Sequence, residues 1–256
     1  MSELLQQLDR RRLPQHVAVI MDGNGRWAKL RGFSRLRGHH TGADSAREVV
    51  RAAREVGIGY LTLYAFSEEN WQRPRSEVQA LMTLLKRYLR QELPEMLENG
   101  IAFQVIGNIS QLPLDVQEEI AATVSATAAN QEMTLTLALS YGGRSEIVHA
   151  AQAAWKDLQS GRLTVAELTP ERFSSYLYTS KFPDPDLLIR TSGEFRLSNF
   201  LLWQLAYTEL YFTDTLWPDF RRTEFLQALL AYQRRDRRFG LTQEQIEAQA
   251  VPASPH

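Results

Sequence analysis

The sequence predicts an α/β fold: one domain built on a mostly parallel sheet flanked by helices. Three observations predict it. Short apolar, β-branched runs alternate with longer stretches whose apolar residues repeat at helical spacing. The runs stop at polar turns, several of them carrying glycine. No linker, internal repeat or low-complexity block divides the 256 residues, and the 44% hydrophobic, 23% charged composition is that of an ordinary globular chain.

The elements follow in order. Residues 1–15 read as a charged, flexible lead-in ending at Pro14. HVAVIM (16–21) is a buried strand that stops at Asp22-Gly23-Asn24-Gly25. Residues 42–57 form an amphipathic helix with Ala43, Ala46, Val49, Val50, Ala53 and Val56 on one face and Gly57 as its cap. YLTLYAF (60–66) is the next strand. A helix starts at Ser76, where Ser76 and Gln79 have capping-box spacing, and its apolar positions continue to Leu93. Strands at 101–107, 133–140, 186–190 and 209–212 alternate with helices at 113–129, 143–160 and 223–237, and the polar tail 241–256 is expected to be loose.

Composition excludes several classes. A net charge of −1 gives no basic surface for bulk nucleic-acid binding. Without cysteine there is no disulfide and no thiolate metal site, which fits a reducing cytosol. No leader-like apolar run opens the chain, and the longest apolar stretch, FLLWQLAY (200–207), is interrupted by Gln204 and is far too short to span a bilayer.

In parallel sheets ligands sit beyond the carboxyl ends of the strands, and those ends are where the chemistry-bearing residues cluster. After the first strand, DGNGRWAKLRGFSRLRGHH (22–40) combines glycines that admit close backbone approach with Arg26, Arg35, Arg37, His39 and His40, and one carboxylate, Asp22. It reads either as an anion site with Asp22 near a metal or as a turn before a solvated basic helix. After the second strand come Ser67, Glu68, Asn70, Trp71 and Arg73. Trp71 either serves a ligand or plugs the core. After the strand at 186–190, Arg190, Arg196 and Ser198 flank a Ser-Gly turn, an Arg fork for phosphate or a surface pair with Glu194. Jointly these ends read as a two-anion site with one or two carboxylates for a metal. No P-loop, zinc spacing or nucleophile elbow is present.

At these residues the sequence resembles the cis-prenyltransferase family, most closely the bacterial undecaprenyl diphosphate synthases. The motifs are HVAVIMDGNGRWA (16–28), RGHHTGA (37–43), LTLYAFSEENWQRP (61–74), RTSGEFRLSNFLLWQLAYTELYF (190–212) and LWPDF (216–220). The resemblance implies a single catalytic domain over 16–240, usually a homodimer, with a hydrophobic tunnel for the growing chain. It implies Mg²⁺ as cofactor, isopentenyl diphosphate and an allylic diphosphate (farnesyl diphosphate) as substrates, and a cytoplasmic protein that contacts the membrane when product leaves. By position, Asp22 resembles the metal-linked aspartate and Glu209 the second metal carboxylate. Gly23, Asn24, Gly25, Arg26, Arg35 and His39 resemble the allylic diphosphate site, and Trp27 a residue lining it. Ser67, Glu68, Glu69, Asn70, Trp71 and Arg73 resemble a loop closing over substrates, with Asn70 near the proton that is lost. Arg190, Arg196, Leu197 and Ser198 resemble the isopentenyl diphosphate site. Phe195 departs from members that place a His there. Leu81, Leu85, Leu89, Met133, Leu135 and Leu137 are candidate tunnel walls or ordinary core. A non-catalytic scaffold of the same fold and a generic phosphate-binding module are the competing readings. Retention of Asp22, Asn70, Arg190, Arg196 and Glu209 together opposes the first, and the missing nucleotide fingerprints oppose the second.

Overall fold

A computed structural model describes residues 3–235. Its elements are α1 (Glu3–Gln7), β1 (His16–Ile20), α2 (Asn24–Leu30), α3 (Arg35–Val56), β2 (Tyr60–Ser67), α4 (Arg75–Glu98), β3 (Ile101–Ile106), α5 (Leu114–Thr127), β4 (Met133–Tyr141), α6 (Gly143–Gln159), α7 (Pro170–Ser174), β5 (Leu187–Arg190), β6 (Glu209–Phe212) and α8 (Arg222–Gln233). The six strands form one sheet in the order β3-β4-β2-β1-β5-β6, and every neighbouring pair is parallel.

Both faces of that sheet are covered, which is why β1 is buried along its whole length. Val17 and Val19 join Leu61, Leu63, Leu187 and Ile189 in a large core packed by residues of α3, α4 and α8. Ala18 and Ile20, one step out of phase, face a smaller core closed by Phe200, Leu201 and Leu205. The registers keep the strand ends level, since Ile20 pairs with both Tyr64 and Arg190, and Arg190 pairs with Phe212. From β1 the chain moves to one side of the sheet, and from β5 to the other. The crevice beyond the ends of β1 and β5 is therefore the switch point where such folds bind ligands.

Several boundaries differ from expectation. The lead-in is folded in its described part: α1 packs near α8, Leu8 is buried in the core, and Asp9 exchanges hydrogen bonds with Gln233. Helix α3 begins at Arg35, capped by Ser34 accepting from the Arg37 amide at 3.3 Å, so the basic segment lies on the helix. Helix α4 begins at Arg75 because Pro74, with its fixed φ, is the capping residue, and Ser76 falls inside the first turn. Helix α7 is an addition. Residues 236–237 of the expected last helix, and the tail 241–256, lie outside the described residues.

His16 shows how the far end of the sheet is tied. Its Nδ1 donates to the Pro183 carbonyl at 2.6 Å, which leaves Nε2 to accept from the Thr62 hydroxyl at 2.8 Å. Burial pushes its pKa down to about 4. In the unfolded chain the imidazole takes up its proton near pH 6.5, so between about pH 6.5 and pH 4 the unfolded state binds more protons. Stability present above that window is expected to fall through it by roughly 3 kcal/mol from this group. Urea unfolding across the window checks this, and His16→Gln should flatten that part of the pH dependence.

Candidate active site

The crevice is built by the turn after β1 and the turn after β5. The Asp22 amide donates to Thr191 Oγ1 at 3.0 Å, and that hydroxyl donates to the Asp22 carbonyl at 2.7 Å, which clamps the two strand ends. Gly23 sits at φ +107°, where an added Cβ would lie 3.0 Å from Ser192 Cβ, so only glycine fits the turn without strain. Gly25 leaves room for the Arg35 guanidinium, whose Nε would stand 2.9 Å from a Cβ there.

Asp22 is the carboxylate at the centre. Its Oδ2 accepts from Arg190 Nη2 at 3.0 Å and lies 3.5 Å from Arg26 Nη2. Arg190 is almost fully buried; its Nη1 donates to Ser198 Oγ at 2.8 Å and to the Arg196 carbonyl, while its Nε has no partner. A desolvated donor left unmet costs about 1–3 kcal/mol, which an incoming oxyanion can remove. Arg26 is held by Ser192 and by Glu194 Oε1 at 3.0 Å. Across the crevice, Glu77 on the first turn of α4 receives Arg73 at 3.1 Å and Arg35 at 3.4 Å, and its Oε1 stands 3.4 Å from His39 Nε2. Burial, with Arg73 beside it, pushes the His39 pKa below its usual range against the pull of Glu77. The neutral form is thus favoured, and its buried Nε2 makes no hydrogen bond.

Asn70 is fixed by local chemistry. Its Oδ1 accepts from the Ser67 amide at 3.2 Å inside a capping box, so what it has left to offer is its amide N–H donors. Glu69 accepts from Asn199 Nδ2 at 3.0 Å. Burial pushes its pKa up, but hydrogen bonds from its own backbone amide, Asn199 and Ser67 outweigh that and hold it low.

From this polar crevice a cavity of about 640 Å³ runs back between α3, α4 and the sheet. Asp22, Asn24, His39, Asn70, Arg73, Arg190 and Ser198 line it together with Ala43, Ala46, Leu63, Phe66, Leu81, Met82, Leu85, Tyr88, Leu137 and Leu139. The space is cationic where the strands end and hydrocarbon-lined further back. Leu81, Leu85 and Leu137 are walls as expected; Leu89, Met133 and Leu135 are fully buried core instead.

The structure separates other expected residues from this space. Glu209 opens β6 opposite Leu187, at the starting end of the sheet, and its carboxylate receives Arg235 at 2.7 Å. Leu187 pairs with Val17, five positions before Asp22, so within this chain the two carboxylates stand roughly 16 Å apart along the strands and cannot share an ion. Trp27 faces away from the cavity: its Nε1 donates to Asp219 at 2.7 Å and Arg31 stacks on its ring. Trp71 is a plug, bonded through Nε1 to Ser140 and edge-on to Phe66. Glu68 accepts from Ser145 behind the crevice, Leu197 packs on the smaller core, and the exposed Arg196 side chain pairs with Glu194. Glu77, Ser192 and Asn199 border the crevice without a sequence signal, whereas Glu194, expected as a surface partner of the arginines, pairs with Arg196 and also with Arg26.

Comparison with known proteins places this architecture. Residues 20–240 match the Prenyltransf family, described as putative undecaprenyl diphosphate synthase. An isoprenyl transferase of Geobacter sulfurreducens is 53% identical over 239 residues, 93% of this chain and 97% of that one. One from Bacillus subtilis is 50% identical, covering 89% of this chain and 88% of its own. Among solved structures, lavandulyl diphosphate synthase from Lavandula x intermedia in complex with dimethylallyl diphosphate superposes with a TM-score of 0.88 at 41% identity, over 90% of this chain and 99% of that chain. A probable undecaprenyl diphosphate synthase from Campylobacter jejuni gives 0.74 at 33% identity, over 89% and 98%.

Proposed function

The chain belongs to the Prenyltransf family of undecaprenyl diphosphate synthases, and on that premise we propose that it condenses isopentenyl diphosphate onto an allylic diphosphate, farnesyl diphosphate as primer, to give a long cis-polyprenyl diphosphate, the undecaprenyl precursor of the cell-wall carrier lipid. The observation that carries the reading is the two-part cavity, with arginines at the strand ends and a hydrocarbon-lined space behind them. An amphiphile with a diphosphate head and an isoprenoid tail is the ligand with that polarity.

Mg²⁺ goes with this reading. Among the described residues no three His, Asp or Glu gather as ligands, so the crevice offers no protein cage for a bare ion. One carboxylate, Asp22, beside phosphate-holding arginines is the donor set Mg²⁺ takes when substrate oxygens and water complete its octahedron, and the residues fit a metal carried with diphosphate. When bound, Mg²⁺ neutralises charge on the departing diphosphate. Arg26, Arg35, Arg73 and the Gly23–Gly25 turn hold the allylic diphosphate, and preorganised cations there favour the charge that develops as its C–O bond breaks. Arg190 and Ser198 hold isopentenyl diphosphate, with Arg196 reaching over from the rim. Because Asn70 Oδ1 is occupied by the Ser67 amide, Asn70 orients the acceptor of the lost proton, a diphosphate oxygen or a water, instead of taking it.

Each added unit moves into the apolar space, where burial is worth roughly 0.8 kcal/mol per methylene. Ala46→Leu, which extends the α3 wall into the cavity, is therefore expected to shorten the products by at least one isoprene unit. Chain lengths resolved after dephosphorylation check this, and an unchanged distribution would mean the chain grows elsewhere. The reading as a whole is tested by incubating the protein with farnesyl diphosphate, radiolabelled isopentenyl diphosphate and Mg²⁺. A long product that disappears with excess chelator is expected; no product across several primers would leave the scaffold reading. The family reading also carries a cytoplasmic homodimer that meets the membrane on product release. No helix among the described residues is long and apolar enough to cross a bilayer, and exposed Trp155, Tyr207 and Leu210 offer apolar surface to a second copy.

A further inference from the structure

The corner joining α2 to α3 has an unusual surface. Residues 29–37 read KLRGFSRLR, four cations without an acid in a chain whose net charge is −1. Between those cations Leu30, Phe33 and Leu36 are 76%, 51% and 40% exposed. Single exposed apolar side chains are unremarkable, but three within seven residues, interleaved with cations, make a surface with a partner in view. The face continues along α3. Leu36, Arg37, His40, Asp44 and Arg47 follow at three- and four-residue spacing and so share one side of the helix.

On that side a second cavity of about 400 Å³ opens between α3 and α4, lined by Arg37, His40, Asp44, Arg47, Arg87 and Gln91. Its acid is occupied, since Asp44 receives Arg47 at 3.1 Å. Arg31 and Arg35 are tied to Asp219 and Glu77. Arg37 and Arg87 have no carboxylate partner among the described residues, so two guanidiniums face this cavity uncompensated. The inner wall, Ala43, Leu84 and Tyr88, is shared with the hydrocarbon-lined cavity described above.

We propose that this face docks on an anionic bilayer. Leu30, Phe33 and Leu36 enter the headgroup region, and Arg37 and Arg87 engage lipid phosphates, the combination by which surface-bound segments gain both apolar burial and charge attraction. Charge complementarity selects the bilayer as occupant over a second copy of the chain, which would bring the same cations face to face. The inference rests on the prenyltransferase reading for its purpose: one layer of side chains then separates the growing polyprenyl chain from the membrane that receives it. Its measurement does not depend on that reading.

The experiment sediments the full-length protein, without substrates, with vesicles of phosphatidylcholine alone or mixed equally with phosphatidylglycerol. Binding to the mixed vesicles only, released by salt, is expected. Arg37→Glu with Arg87→Glu, and separately Leu30→Ser with Phe33→Ser, should each lower the bound fraction about tenfold or more. Both variants should turn over farnesyl and isopentenyl diphosphates in detergent at the parent rate, which certifies the fold. Equal binding to neutral vesicles, or unaltered binding by both variants, would overturn the proposal. So would a changed sedimentation coefficient of the free Leu30→Ser, Phe33→Ser protein, which would assign the patch to a chain–chain contact. Release by inorganic phosphate but not by chloride at matched ionic strength would likewise overturn it, as a small-anion site. A parent protein that binds vesicles yet shows no turnover in detergent would sink the enzymatic reading alone.

Discussion

Asp22→Ala is expected to lower kcat by about 10³-fold while isopentenyl diphosphate still binds. Asp22 is the carboxylate in contact with both Arg190 and Arg26, and under the proposed function it is also the protein's contribution to the metal. Removing it takes away the protein's hold on the metal that would neutralise the leaving diphosphate as it gathers charge. The same substitution has a structural cost. Arg190 is buried, and breaking a buried pair from one side costs about 3–5 kcal/mol when both partners are inside; Asp22 is about one third exposed, so the lower end applies. Asp22→Asn separates the effects, since it keeps the shape and an acceptor for Arg190. Saturating kinetics, calorimetric binding of isopentenyl diphosphate and thermal melts of both variants make the test. A kcat within tenfold of the parent for both would remove Asp22 from the chemistry.

Arg190→Lys should be nearly as damaging, although charge is conserved. The guanidinium serves the Asp22 carboxylate with one nitrogen, and Ser198 and the Arg196 carbonyl with another, and keeps Nε in reserve. An ammonium is a point donor that cannot span those directions. The expected loss in kcat/KM is about 10²–10³-fold, expressed mainly as a raised KM for isopentenyl diphosphate. A raised KM for the allylic substrate alone would mean the two diphosphate positions are exchanged.

Much of this was legible in the chain, for identifiable reasons. A parallel sheet collects the carboxyl ends of its strands on one side, so the turns at Asp22, Ser67 and Arg190 could be grouped before any contact was known. Glu209 could not be placed that way. It begins its strand, and the level registers put beginnings and ends on opposite sides. Trp27 and Trp71 carry motif positions, yet each indole N–H found an oxygen away from the cavity. Leu197 packs beneath the site, as an apolar residue in a polar loop commonly does. Glu77 left no sequence signal: it looks like any acid on a helix's first turn, with Arg73 its local partner four residues before, and it takes Arg35 and His39 as neighbours only because the fold brings α3 beside α4. The apolar face signals this helix only from residue 42, because glycine and histidine weaken the helical pattern before it; the Ser34 cap and tertiary packing start it at Arg35, so the basic segment is helical.

The carboxylates that hold the crevice arginines have a kinetic meaning. Under the proposed function, Glu77 and Glu194 are tethered anions resting on arginines that hold phosphate oxygens, Glu77 on Arg73 and Arg35 and Glu194 on Arg26. An arriving diphosphate therefore exchanges with a resident instead of meeting bare cations, and a departing one is replaced at once from within the chain. On that reading binding is expected to be weaker than the count of arginines suggests, and release quicker. For a polymerase of isoprene units that must discharge one diphosphate and admit another at every cycle, a grip that opens is worth more than a grip that is tight.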